Sequence, residues 1–330
     1  MPSPVTPALY PPTFVVHADW SVNPAKRWFA RAERQPDGHY LAQAPRKVEN
    51  PASLLGCLRD EAGVDGCVLV GFDFPIGLPL SYARKVGVDD FLTLLPHLGS
   101  GEWADFFSVA EWPEQITPSR PFYPARPGSA RQCHLTAALG VESIGDLRRR
   151  CERITGERRA AAPLFWTLGG QQVGKAAING WKEVLQPALR DHETYVSIWP
   201  FDGRLDSLLA PGRVVVAETY PAEFYRHLCV QFTRSRPGAR SGKRVGADRA
   251  ANAGVMFRLA EEAGVVLTPD LRENINTGFG SRSEGEDPYD AVVGLFGMLN
   301  VVLGHRDPGE PDDEHTRRIE GWILGQQWKP

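Results

Sequence analysis

Three apolar runs in this chain each end on an acidic residue. Phe14-Val15-Val16-His17-Ala18 leads into Asp19, and Cys67-Val68-Leu69-Val70 leads through Gly71-Phe72 into Asp73. Val214-Val215-Val216-Ala217 leads into Glu218. Two further acids, Asp287 and Asp290, open a helical pattern whose apolar side carries Val292, Val293, Leu295 and Phe296. In α/β folds the ends of parallel strands share one sheet edge, and sites are built there. Acids meeting at that edge repel one another unless protons or cations intervene. An all-oxygen ligand set suits Mg²⁺ or Mn²⁺. Two such ions roughly 3.5–4 Å apart can activate water and stabilise the leaving oxygen in phosphodiester hydrolysis. The expected ligands are Asp19, Asp73, Glu218, Asp287 and Asp290, with Asp19, Asp73, Glu218 and Asp290 in catalytic roles.

Each acid has a plainer reading. Asp287 precedes Pro288 and has the form of an N-cap with proline at N1. Asp290, three residues on, could close a capping box. Glu218 could pair with an arginine. Asp19 and Asp73 resist such readings, because a charge at the end of a buried strand needs a partner. His17 shares a strand face with Asp19 and reads either as a proton-transfer aid or as a hydrogen-bonded core histidine.

Candidate phosphate contacts come from two places. Arg226, Arg234, Arg236, Arg240, Lys243, Arg244 and Arg249 make the segment after Glu218 locally basic. Of these, Lys243, Arg244 and Arg249 are the expected phosphate ligands, against the alternative of a solvated loop. The second place is Gly169-Gly170-Gln171-Gln172-Val173-Gly174-Lys175, which fits the spacing of a phosphate-cradling loop and makes Lys175 a candidate. Ala176 stands where that motif needs a Ser or Thr hydroxyl for Mg²⁺, which argues against a true nucleotide loop. Arg148-Arg149-Arg150 and Arg158-Arg159 read as solvated helix faces. The tryptophans Trp103, Trp112, Trp166, Trp181 and Trp199 read as core packing more than as base-stacking platforms.

The elements that must position these groups are legible in outline. Phe14–Asp19 predicts a first strand, and Pro36-Asp37-Gly38 a hairpin turn between Trp28–Ala32 and His39–Ala42. Asn50-Pro51 predicts a helix start, with Leu54, Leu55 and Leu58 on its apolar face. The strand into Asp73 then completes a β-α-β crossover. From about 80 to 212 strands are scarce, Pro and Trp are frequent, and a largely helical insertion is expected. Helices are predicted over 247–263 and 288–302, and a last helix near 317–324. Residues 1–12 are a Pro-rich lead-in, expected to be disordered, and 13–330 is read as one domain.

Composition narrows the class. The chain has 330 residues, 42% hydrophobic and 23% charged, with a formal net charge of -3. That is an ordinary globular balance without the global basic field of a dedicated nucleic-acid binder. Five scattered cysteines form no CxxC pair. Reduced thiols and a cytoplasmic location are therefore expected. No apolar span is long enough for a membrane helix, and no membrane partner is expected.

The order of several motifs resembles the domain of unknown function 429 family, uncharacterised bacterial and archaeal proteins regarded as predicted RNase H-like nucleases. The pieces are Asp19-Trp20-Ser21, Gly71-Phe72-Asp73-Phe74-Pro75-Ile76-Gly77, Glu218-Thr219-Tyr220-Pro221-Ala222-Glu223 and Glu286-Asp287-Pro288-Tyr289-Asp290-Ala291. Trp166-Thr167-Leu168-Gly169 through Lys175, Trp199-Pro200-Phe201-Asp202-Gly203 and Glu320-Gly321-Trp322 also look alike. The resemblance implies an α/β, RNase H-like fold: a mixed five-stranded sheet with helices on both faces. It implies acidic positions at Asp19, Asp73, Glu218 and Asp290. One departure is bulky Trp20 after the first Asp, where many such enzymes carry a small residue; it would reshape the substrate entrance. The expected activity is a Mg²⁺- or Mn²⁺-dependent nuclease acting on nucleic acid or nucleotide. The alternatives are a nucleotide-dependent phosphotransferase or ATPase-like protein, and a catalytically silent binding protein of the same fold.

Overall fold

Eight strands form one mixed sheet in the computed structural model, which describes residues 10–154, 159–168, 173–191, 195–232, 242–281 and 283–327. The strands are β1 (Phe14–Asp19), β2 (Trp28–Arg34), β3 (Tyr40–Ala42), β4 (Arg46–Lys47), β5 (Val68–Phe72), β6 (Val196–Ile198), β7 (Val214–Glu218) and β8 (Val265–Leu267). Their order is β6-β7-β5-β1-β2-β3-β8, with β4 paired to β2 off that path. β1, β2 and β3 run antiparallel as the meander predicted from the hairpin turn. β5 lies parallel to β1, and β7 parallel to β5. The expected count of five strands is therefore too small: β4, β6 and β8 extend the sheet.

Between β4 and β5 lies α1 (Leu54–Ala62). It begins later than Asn50-Pro51 suggests, because the Asn50 side chain accepts the Ala52 amide at 3.1 Å and holds a turn first. Residues 80–212 carry α2 (Leu80–Val86), α3 (Phe91–Leu94), α4 (Gln132–Leu139), α5 (Val173–Gly180), α6 (Gln186–Asp191) and α7 (Leu205–Leu208) among short 3₁₀ turns. This stretch also supplies β6, an edge strand that its composition does not announce. After β7 come α8 (Pro221–His227), α9 (Gly246–Ala250), α10 (Ala253–Glu262), α11 (Pro269–Asn276) and α12 (Glu286–Val302). The single helix predicted over 247–263 is two helices. At their junction the Asn252 amide bonds Gln231 N, Gln231 O and Asp248 O, so a side chain competes with the helical ladder. The last helix is shorter than expected and ends earlier, as a π-helix over Thr316–Glu320 stopped by Gly321.

Two cores flank the sheet. Val16, Ala18, Val68, Val70, Phe72, Val214 and Val216 face one layer, with α1 and the helices of residues 80–191. Val15, Leu69, Val215 and Ala217 face the other, against α8, α10, α11 and α12. Strand side chains alternate between faces, and buried valines and leucines stabilise both sides by about 1.5–3 kcal/mol each. α12 lies close on β1 because Gly294 carries no side chain. A Cβ there would fall 2.2 Å from the His17 ring. Among the described residues no helix is long and apolar enough to cross a membrane.

Candidate metal centre

Asp19 closes β1, and Asp73 follows directly on β5. These neighbouring parallel strands pair Ala18 with Phe72, so the next residue on each strand brings the two aspartates side by side at one edge. Alternation puts His17, Asp19, Gly71 and Asp73 on the face that α12 covers. From α12, buried Asp290 approaches the pair, with half-buried Asp287 one turn earlier. The Trp20 amide donates to Asp73 Oδ1 at 2.6 Å and fixes that carboxylate. Asp290 is held at both oxygens: the Tyr225 hydroxyl donates to Oδ1, and the Lys243 ammonium donates to Oδ2 at 2.5 Å. Lys243 also pairs with Glu286 at 3.2 Å, and Arg244 with Glu286 at 3.5 Å.

Burial is the main force on these acids. It raises Asp19 well above the ordinary carboxylate range, with repulsion from Asp73, Asp290 and Asp287 adding to it and Lys243 opposing. Asp73 is pushed up to about 7 by burial, against the stabilising Trp20 amide. Asp290 is raised by burial, although Lys243 and Tyr225 favour its charged form. Asp287 is raised by burial, and Lys26 opposes. Lys243 loses solvation on burial, but Asp290, Glu286 and Asp19 outweigh that and raise it. The result is a buried acidic group that favours protons or cations. Among the described residues no three His, Cys, Asp or Glu side chains converge as a ready ligand set. Asp19 and Asp73 meet directly through a side-chain hydrogen bond, whereas Asp290 and Asp287 act on Asp19 through charge alone.

Several expected site residues lie elsewhere. Glu218 pairs in register with Phe72, which turns its side chain to the opposite face of the sheet. There it receives both guanidinium nitrogens of fully buried Arg149, each at 2.6 Å, and the Ile76 amide at 2.7 Å. The arginine-pair reading of Glu218 is the one that holds, and it is not beside Asp19. Arg149, expected on a solvated face, instead binds Glu152, Glu218, Ile76 O and Glu320 O. The residue on the correct face of that strand end is Thr219, buried, with Oγ1 lacking a hydrogen-bond partner among the described residues.

Arg249 is buried and spends its guanidinium on the carbonyls of Gly278, Lys243 and Gly280, so it braces two loops. It is not available to a phosphate. Arg244 is exposed beside Glu286. Lys175 lies in α5, and no hydrogen bond or ion pair joins it to the carboxylates among the described residues. Gly174 beside it is a packing glycine, since a Cβ there would meet Leu164 O at 2.4 Å. Gly169–Gln172 of that motif, and Arg158, Arg234, Arg236 and Arg240, lie outside the described residues, as do residues 1–9 of the lead-in.

α12 begins at Glu286 after Gly285, with no side-chain cap, so Asp287 sits inside the first turn and Asp290 closes no capping box. Trp20 faces away from the centre and packs edge-on against Phe72, with Arg27 over its ring at 4.5 Å. It contributes a backbone amide to the centre and leaves the entrance alone. His17 is neutral, its pKa lowered to about 3 by burial against a weaker opposing contact with Ala291. Trp181 and Trp199 are fully buried, whereas Trp112 is exposed. Surface cavities of about 690 and 910 Å³ lie beside α3, the larger reaching β6, and neither contains a residue of the carboxylate group.

No family model, curated protein or solved structure matches the chain.

Proposed function

We propose that this chain is a divalent-metal-dependent phosphodiesterase of RNase H-like architecture acting on nucleic acid. The observation that carries this reading is the pair Asp19 and Asp73, side by side on neighbouring parallel strands and faced by Asp290 from α12. The run β3-β2-β1-β5-β7, an antiparallel meander followed by two parallel strands, supports the RNase H-like part of it. So does the order of motifs that resembles the domain of unknown function 429 family. With no matching family model, the reading rests on topology and on the acids themselves.

The donor chemistry fits Mg²⁺ or Mn²⁺: the donors are carboxylate oxygens, and Asp19 has no cation or amide bonded to its carboxylate among the described residues. Asp19 and Asp73 would hold the ion, with Asp287 and Asp290 alongside. Bound there, the ion would supply Lewis acidity toward a phosphodiester and a more nucleophilic water at neutral pH. The protein's own part is orientation. The Trp20 amide fixes Asp73, and Tyr225 fixes Asp290. Lys243 and Arg244 bring positive charge to the same edge, where a phosphate would be met.

The test is cleavage of labelled single- and double-stranded DNA, RNA and hybrid in Mg²⁺ and Mn²⁺, with Asp73→Asn alongside. Metal-dependent cleavage that disappears in the variant is the expected result. A wild type as inert as the variant across the panel would leave the phosphotransferase and silent-binding readings standing instead.

A further inference from the structure

The acids around the centre can be matched to cations one by one. Glu286 has Arg244 at 3.5 Å, and Asp290 has Lys243 at 2.5 Å. Asp287 lies in the field of Lys26. Both Asp290 oxygens already accept a hydrogen bond, Oδ1 from Tyr225 and Oδ2 from Lys243. Asp19 and Asp73 have no ion-paired cation among the described residues and feel only the field of Lys243, whose ammonium is bonded to Asp290. A buried pair of carboxylates in that condition takes up a proton or a cation, and one divalent ion would balance both charges.

A second observation points to the same place. Thr219 is 1% exposed, and its Oγ1 has no hydrogen-bond partner among the described residues. It stands one strand over from Asp73 on the same sheet face. A Cβ added to Gly71 would come within 2.6 Å of Thr219 Cγ2, so the methyl of this side chain packs over the strand that ends in Asp73. A buried hydroxyl without a partner is costly, and a water of a cation's shell would satisfy it. Magnesium in proteins keeps several waters and is often held by only one or two carboxylates.

We propose that Lys243 takes the place of one ion of a two-ion site, so that the centre binds a single divalent cation on Asp19 and Asp73. This rests on the metal-dependent reading above and sharpens it: the second positive charge facing the phosphate is a side-chain ammonium. Lys243 is thereby a structural part of the centre, and its removal opens Asp290 and Glu286 to another ion.

The experiment is a Mn²⁺ titration of the full chain, with free Mn²⁺ followed by electron paramagnetic resonance. Wild type is expected to bind one Mn²⁺ per chain and Lys243→Ala two, with Lys243→Gln as the longer replacement should the alanine variant fold poorly. Asp73→Asn is expected to weaken the wild-type site at least tenfold. Two ions bound with Lys243 intact would overturn the inference and leave the metal-dependent reading in place. A single ion in folded Lys243→Ala and Lys243→Gln would overturn it as well. No binding by wild type would remove both this inference and the reading beneath it.

Discussion

Asp73→Asn in metal-free buffer should make the protein more stable at alkaline pH, an unusual result for a change in a candidate centre. Asp73 rises from an ordinary 3.8 to about 7, chiefly because burial disfavours its charge. A carboxyl raised by folding contributes stability that is full below its unfolded pKa, near 3.8, and is lost as pH rises through about 7. At about 1.36 kcal/mol per pH unit, the charged form costs up to about 4 kcal/mol by about pH 8. Asp73 shares its burden with Asp19, and waters relax around a buried charge, so about 2 kcal/mol is the expected net penalty. Asparagine is neutral at every pH, and its Oδ1 can still accept the Trp20 amide.

Melting in EDTA should therefore show Asp73→Asn roughly 3 °C above wild type at about pH 8, and level with it near pH 4, given the unfolding entropy of a chain this long. Added Mn²⁺ should raise wild type at about pH 8 and leave the variant unmoved. If the variant melted below wild type by the same margin at both pH values, the account of Asp73 as an uncompensated buried charge would be wrong.

Glu218→Gln should lower the melting temperature yet keep Mn²⁺ affinity within about twofold, because Glu218 serves Arg149 on the far face of the sheet; a tenfold loss of affinity would return it to the centre. Arg149→Met should cost about 3–5 kcal/mol in denaturant unfolding, since it leaves Glu218 and Glu152 buried without their cation. Gly294→Ala should cost about 1–3 kcal/mol by overpacking, its Cβ meeting the His17 ring at 2.2 Å. An unchanged melt would mean that α12 can retreat from β1 freely.

Much of the frame was legible in the residues. The β1–β2–β3 meander follows from alternating apolar residues around Pro36-Asp37-Gly38, and β5 from an apolar run too short for a helix. Asp19 and Asp73 could be singled out because each ends such a run. The extra strands β6 and β8 have three residues each. They acquire strand character by pairing with β7 and β3, and so carry almost no local signal. The break between α9 and α10 likewise depends on Gln231, 21 positions from Asn252.

The sequence by itself determined that acids would cap buried strands, and that a carboxylate would open α12. The tertiary structure alone decided which of them face one another. β7 is apolar at four consecutive positions, so no alternation marks its phase, and a one-residue difference decides whether Glu218 or Thr219 looks toward Asp73. Charge partners were equally hidden. Arg149 reaches Glu218 across 69 positions and Lys243 reaches Asp290 across 47. Such pairings are set by where folding brings the backbone, and local composition holds no record of it.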